Sequence, residues 1–121
     1  MQRRYRLRRS SEFEHARTEG KAWSHPLLTV YVHAREDLDP SRVGIVVTKR
    51  TGKATVRNRV KRRLREAART LYPMLAAGHD IVAVARPAAA EASTPVLFGV
   101  LQGLLTRALA LMPTATSGVS G

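Results

Sequence analysis

One segment, residues 56–72, constrains the fold more than any other part of the chain. On a helical wheel of about 100° per residue its apolar residues gather within about 120° of arc. They are Val56, Val60, Leu64, Ala67, Ala68 and Leu71. Thr55 is the candidate N-cap of this helix, and Pro73 stops it. The pattern predicts a long helix that covers a core with one side and exposes the other.

Apolar strands flank this helix and predict the sheet that it covers. Residues 27–34, 43–49 and 81–85 are rich in β-branched and other apolar side chains, which is typical of strands. We expect residues 27–34 and 43–49 to pair antiparallel across a turn. Because the long helix separates residues 43–49 from residues 81–85, those two strands are expected to pair in parallel. A short additional strand is expected at residues 21–25.

A short helix is predicted at residues 11–19, ahead of the strands. Ser11 and Glu14 form an S-x-x-E capping box, and Gly20 suits the residue just past the end of a helix.

A last helix is predicted to open with Thr94 as N-cap and Pro95 at the first helical position and to run to Met112. Gly99 and Gly103, four residues apart, are expected to let a neighbouring element approach closely. The predicted fold class is α+β, with a small mixed sheet of about four strands packed with three helices in the order αβββαβα.

The positive charge is concentrated in two places. The chain carries 21 Lys and Arg against 9 Asp and Glu, a net charge of +12. Residues 49–69 hold ten basic residues and one acid, and residues 1–10 hold five basic residues and no acid. Concentrated charge of this kind is typical of a polyanion-binding surface, and RNA, DNA or an anionic membrane could supply the polyanion.

The basic residues of the long helix form a surface opposite its apolar side. Asn58, Arg62, Arg65 and Arg69 follow 4, 3, 4 spacing and form one axial row, with Lys61, Arg59 and Arg63 beside it. A solvated helix face is the alternative, but such a face interleaves acids with bases, and Glu66 is the one acid here. A nuclear-localisation-type basic run is a second alternative, although it needs no amphipathic helix.

Catalytic motifs are not evident. The pattern of a phosphate-binding P-loop fails at Val47, where Gly is needed, and at Ala54, where Ser or Thr is needed. A nuclease would need convergent carboxylates, whereas Asp37 and Asp39 fall in a turn and Asp80 opens a strand. We therefore expect no catalytic residue and no metal ligand set on this chain.

Two aromatic residues are candidates for stacking on single-stranded bases. They are Phe13 and Tyr31, and for each of them a place in the core is the alternative.

The block RVGIVVTKRTGKATVRNRVKRRLREAAR, residues 42–69, resembles the protein subunit of bacterial ribonuclease P. The hallmark is R-N-R-x-K-R-x-x-R, which begins at Arg57. The segments RLRRSSEF (residues 6–13), GKA (residues 52–54) and GHDIVAVARP (residues 78–87) match as well. The resemblance covers about residues 6–111.

The resemblance implies a function that spacing alone does not show. A large catalytic RNA removes the 5′ leader of precursor tRNA with Mg²⁺ and water, and the protein assists it. The resemblance also implies one protein per RNA and a cytoplasmic location, and it implies no role for DNA or a membrane. A left-handed βαβ crossover, against the usual hand, is implied as well.

The resemblance also implies two sets of binding residues. Contacts with the catalytic RNA are carried over to Arg57, Asn58, Arg59, Lys61, Arg62 and Arg65, and the helical row adds Arg69. Contacts with the leader are carried over to Phe13, Arg17, Tyr31, Lys49 and Lys53. The family often has an aromatic residue where this chain has Arg17, which leaves the leader preference open.

The expected organisation is a basic flexible arm at residues 1–9, one RNA-binding domain at residues 10–112 and a disordered tail at residues 113–121. The main alternative function is that of a ribosomal-type structural RNA-binding protein. A DNA-binding helix-turn-helix protein would need a helix, not an apolar strand, just before the basic helix.

Overall fold

A computed structural model describes residues 5–108, 110 and 111 of the chain. Within these residues lie three helices and four strands. In chain order they are α1 (Ser10–Glu19), β1 (Lys21–Ser24), β2 (Leu28–Ala34), β3 (Arg42–Val47), α2 (Ala54–Leu71), β4 (His79–Ala85) and α3 (Thr94–Arg107). The α+β class, the element order and the short strand near residue 21 are confirmed.

The four strands form one mixed sheet in the order β1-β2-β4-β3. β4 runs antiparallel to β2 and parallel to β3, so the parallel pairing predicted across the long helix is confirmed. The direct pairing predicted between β2 and β3 is wrong, because β4 lies between them. Most of β4 is buried on both faces, and a strand of that kind belongs in the interior of a sheet.

One face of the sheet, here called the closed face, is covered by α2 and α3. The side chains packed between the sheet and these helices include Leu28, Val30, Ile81, Leu64, Leu71, Leu97, Leu101 and Leu104, each at most 3% exposed. The apolar side predicted for the long helix is confirmed, since its residues from Val60 to Leu71 lie in this core and Val56 packs half-buried against it.

The other face, here called the open face, is covered by α1. Ala16, Leu7 and Val82 are buried there, and half-buried Phe13 and Tyr31 pack against them. Ala16 is the one buried residue of this ten-residue helix. A helix this short leaves part of the open face uncovered.

The cap at the start of α1 differs from the prediction, whereas the end at Glu19, just before Gly20, is confirmed. The carboxylate of Glu12, not a Ser11–Glu14 box, caps the first turn: its Oε1 accepts hydrogen bonds from the backbone N–H groups of Arg8 and Arg9, at 2.9 and 3.0 Å. Gly20 does follow the helix, but its φ of −93° suits any residue. Glycine is needed there because a Cβ would overlap the carbonyl oxygens of Ala16 and Val32.

α2 begins at Ala54 with Lys53 as N-cap, so the predicted cap at Thr55 is wrong by two residues. Gly52 precedes it with φ +148°, a conformation that favours glycine and confirms the predicted turn.

α3 begins after Ser93, whose Oγ accepts a hydrogen bond from the backbone N–H of Val96, so Thr94 is not the N-cap. The helix ends at Arg107, so the prediction that it continues to Met112 is wrong for residues 108, 110 and 111, which are not helical, and Met112 itself lies outside the described residues. The close approach predicted at Gly99 and Gly103 is wrong, since no described atom outside the local helix lies within 4 Å of a Cβ built at either glycine.

Part of the predicted arm is anchored. Leu7 is 5% exposed, and its backbone N–H donates to the carbonyl oxygen of Val43 at 3.1 Å. Arg6 forms an isolated parallel β-bridge with Val43. The ring of Tyr5 stacks on that of Tyr72 with centroids 4.7 Å apart. Residues 1–4 of the arm and the predicted tail at 113–121 lie outside the described residues.

Candidate nucleic-acid interface

The outer side of α2 is a cationic surface, as its periodicity predicts. Asn58, Arg62, Arg65 and Arg69 are all exposed. Within the described part of the chain, Asn58, Arg62 and Arg65 make no side-chain hydrogen bond or ion pair, so their donors are open to a partner. Like charges in one row repel each other, and an anionic ligand relieves that repulsion.

Arg69 differs from the rest of this row, because it is paired with an acid. Its guanidinium bonds Glu66 one turn earlier, at 2.5 and 3.2 Å. The hydrogen bond from Arg69 lowers the pKa of Glu66, and the same bond raises the pKa of Arg69. Of the three arginines in the row, Arg69 therefore offers the least uncompensated charge.

The basic residues beside the row also hold the fold together. Arg57 Nε donates to the carbonyl oxygen of Gly52 at 3.2 Å, which fixes the start of α2. Arg63 Nη1 donates to the carbonyl oxygen of Ala92 at 2.7 Å. Arg59 is half-buried. Charge on this helix is thus divided between residues free for a ligand and residues that position the helix.

On the open face, the ring of Phe13 lies directly on the backbone of Gly44 in β3. A Cβ at residue 44 would overlap the ring atoms Cε2 and Cζ. Gly44, Val82 and Tyr31 are neighbours across three strands, so the phenol ring of Tyr31 belongs to the same face. The guanidinium of Arg17 lies over the Tyr31 ring, with Cζ 5.5 Å from the ring centroid. Three predicted leader residues are therefore brought together.

Two adjoining grooves lie on either side of Phe13, where α1, β3 and α2 meet. One, of about 310 Å³, is bordered by cations that include Arg6, Arg8 and Arg65. The other, of about 400 Å³, is lined by Ile45, Val46 and Val47 of β3 and by Arg17 of α1. Both are lined by Phe13 and by Lys61. Lys61, predicted for the catalytic RNA, thus lies where the two predicted binding sets meet.

Lys49 and Lys53 are placed differently from the other predicted leader residues. Lys49 is exposed in the helical turn Lys49–Thr51 after β3, and Lys53 is exposed at the N-cap of α2. Neither borders the grooves beside Phe13. They extend the positive surface past the carboxyl end of β3.

The sequence analysis missed an ionic network that fastens α1 to the sheet. Asp80, 2% exposed, bonds Arg35 Nη1 at 2.6 Å and Arg42 Nε and Nη2 at 3.0 and 2.9 Å. Arg42 Nη1 reaches Glu12 Oε2 at 2.8 Å, and Glu12 caps α1. The backbone hydrogen bonds from Arg9 and Arg8 lower the pKa of Glu12. An acid at the head of an apolar strand was the available signal, because a buried carboxylate needs cationic partners.

Among the described residues, no three His, Cys, Asp or Glu side chains are grouped so as to hold a metal ion. A search of the same residues finds no helix long and apolar enough to cross a membrane.

A small mixed sheet with a cationic helix on one side and an aromatic groove on the other defines a basic α+β domain of the nucleic-acid-binding class. Comparison with known proteins identifies the family.

The family model "Ribonuclease P" matches residues 1–109, and the chain belongs to that family. A ribonuclease P protein component from Roseiflexus castenholzii is 45% identical over 109 residues, covering 89% of this chain and 88% of the relative.

Solved structures agree with the sequence relatives. The ribonuclease P protein of Staphylococcus aureus matches with a TM-score of 0.80 at 28% identity, covering 88% of this chain and 97% of that one. The Thermotoga maritima protein matches with a TM-score of 0.75 at 35% identity, covering 84% and 98%. Membership makes the chain an RNA-binding component of a tRNA-processing ribonucleoprotein, associated with an endoribonuclease and its RNA subunit.

Proposed function

We propose that this chain binds the catalytic RNA of ribonuclease P through the outer side of α2 and holds the 5′ leader of precursor tRNA in the grooves beside Phe13. It thereby assists Mg²⁺-dependent removal of the leader, while the RNA carries out the cleavage. The observation that carries the proposal is the junction at Lys61: open cations of α2 lie next to a groove with an aromatic wall.

The contribution of the protein to the reaction is electrostatic and positional. Exposed Arg62 and Arg65 neutralise phosphates that would otherwise repel each other when two RNAs meet. Phe13, fixed on Gly44, offers a ring to a single-stranded base. If about five phosphates are contacted, the logarithm of the affinity falls with the logarithm of salt at a slope of roughly −3.5 to −4.5.

Among the residues that the structure describes, no group of acids or histidines is arranged to hold the Mg²⁺ that this reaction uses. We propose that the RNA components hold the ion. We further propose one protein per RNA and a cytoplasmic location.

Reconstitution tests the function. The protein is added to a bare ribonuclease P RNA at low Mg²⁺, and leader removal from a precursor tRNA is followed. Stimulated cleavage is expected, together with tighter binding of leader-bearing tRNA than of mature tRNA. If the protein binds RNA without stimulating cleavage, the alternative of a ribosomal-type structural RNA-binding protein takes its place.

A further inference from the structure

Arg17 lies one helical turn after Phe13 on α1, and both side chains line the 400 Å³ groove. Arg17 is exposed, and its guanidinium lies over the half-buried ring of Tyr31. The guanidinium therefore lies beside an aromatic ring that is itself fixed in the sheet.

The edge of this guanidinium is open. Within residues 5–108, 110 and 111, Arg17 makes no hydrogen bond or ion pair, although Glu14 borders the same groove. Its five N–H donors lie in one plane, a fork that matches two acceptors side by side.

The groove favours a base over a phosphate as the partner of that fork. Phe13 and Val46 line it on the open face, with Ile45 and Val47 of the same strand, and Arg8 and Lys61 are the other cations at its border. Apolar and aromatic walls suit the flat surface of a nucleobase, and Arg8 and Lys61 are available in the same groove for the phosphates on either side of that base.

We infer that Arg17 determines leader specificity by donating to O6 and N7 of a guanine, while Tyr31 holds the guanidinium in place and Phe13 stacks on a neighbouring base. This inference rests on the proposed function of the groove. On the Hoogsteen edge, guanine is the one standard base that presents two adjacent acceptors, since adenine offers a donor beside N7 and pyrimidines lack N7. Cytosine presents N3 and O2 side by side on its Watson–Crick edge, so a tighter-binding cytosine at the same leader position would contradict the assignment to guanine. Tyr31 is in this view a positioning residue.

The test uses the holoenzyme assembled from the full chain and the catalytic RNA. Dissociation constants are measured for precursor tRNAs whose leaders are all uridine except for one guanine, moved one position at a time. One position is expected to bind roughly tenfold tighter with guanine. At that position inosine, which keeps O6 and N7, should match guanine, and adenine and 7-deazaguanine should match uridine.

Protein variants test whether the guanidinium of Arg17 causes the preference for guanine over uridine. Arg17→Lys keeps the charge but not the fork and should abolish the guanine-to-uridine ratio, and Tyr31→Leu should reduce that ratio. Arg107→Lys is the matched control, because Arg107 also lies over an aromatic ring, that of Trp23 at 5.8 Å, and lines neither groove. Its ratio should equal that of the parent chain.

Two results overturn the inference, and they differ in meaning. If no leader position prefers guanine to uridine, or if a guanine preference persists in Arg17→Lys, the specificity role of Arg17 is wrong while the leader groove stands. If the holoenzyme does not distinguish leader-bearing from mature tRNA, the proposed function of the groove fails and the inference falls with it.

Discussion

The two faces of the sheet are both apolar, yet they are covered very differently. On the closed face, α2 and α3 bury a continuous set of leucines and valines. On the open face, the ten residues of α1 contribute one buried side chain, Ala16, and the half-buried Phe13. Stability therefore resides mainly on the closed face. The incomplete cover on the open face leaves the grooves beside Phe13, where a ligand can enter.

The closed face and the open face of the sheet come together at its edge strand, β3. α2 packs its apolar side on the closed face, yet Lys61 borders both grooves and Arg65 one of them, so they reach the Phe13 side. One helix thus serves the core, the cationic surface and the grooves. Substitutions on its different sides should separate these roles.

The largest effect is expected from removing the cations of α2. Changing Arg57, Arg59, Arg62 and Arg65 to Gln should weaken binding to the catalytic RNA by roughly a thousandfold or more, because charge-assisted contacts to phosphate are lost. Filter binding measures the affinity, and circular dichroism checks the fold.

The double variant Arg62→Gln/Arg65→Gln avoids the contact of Arg57 with Gly52 and should give much of the same loss. Lys21→Gln/Arg107→Gln removes the same charge from exposed positions elsewhere and should bind nearly normally. Retained affinity in the quadruple variant would place the RNA interface on another surface.

A large loss of stability is expected on the closed face. Leu64→Ala removes a fully buried side chain and should lower the free energy of unfolding by about 2–5 kcal/mol. Phe13→Ala on the open face should cost less, because that ring is half-buried. Urea denaturation measures both. Equal losses would mean that the open face contributes to stability as much as the closed one.

Gly44→Ala should cost about 1–3 kcal/mol of stability, because the added methyl group overlaps the Phe13 ring. The displaced ring should also lose its contribution to the affinity for leader-bearing tRNA. The double variant Phe13→Ala/Gly44→Ala provides the control. Once the ring is absent, the extra methyl group should cost little, so additive losses would argue against this contact.

A smaller, pH-dependent effect is expected at Glu12. Its pKa is lowered from 4.5 in the folded chain, so its carboxylate stabilises the fold above about pH 4.5 and loses that effect as the pH falls through the lowered pKa. Glu12→Gln should therefore cost roughly 1 kcal/mol near neutral pH, as for the loss of a cap.

The difference between the parent chain and Glu12→Gln should shrink as the pH is lowered below 4.5, and urea denaturation at several pH values measures it. A difference that does not change with pH would mean that charge at Glu12 is not what stabilises α1.

Features set by periodicity could be predicted from the amino-acid sequence. The two sides of α2 follow from residues three and four apart, and the structure has Asn58 and Arg62 exposed and Val60 and Leu64 buried accordingly. The parallel relation of β3 and β4 follows from the helix between them. These are properties of neighbours along the chain, and hydrophobic burial acts on them in the same way in almost any fold.

Features that join distant residues could not be predicted in this way. β4 separates β2 from β3 because it is apolar on both faces, a choice that depends on all the strands at once. The placement of Phe13 on Gly44 and of Arg17 on Tyr31 depends on where α1 crosses the sheet. Since these pairs lie far apart along the chain, packing decides them, and packing also creates the grooves proposed to hold the leader.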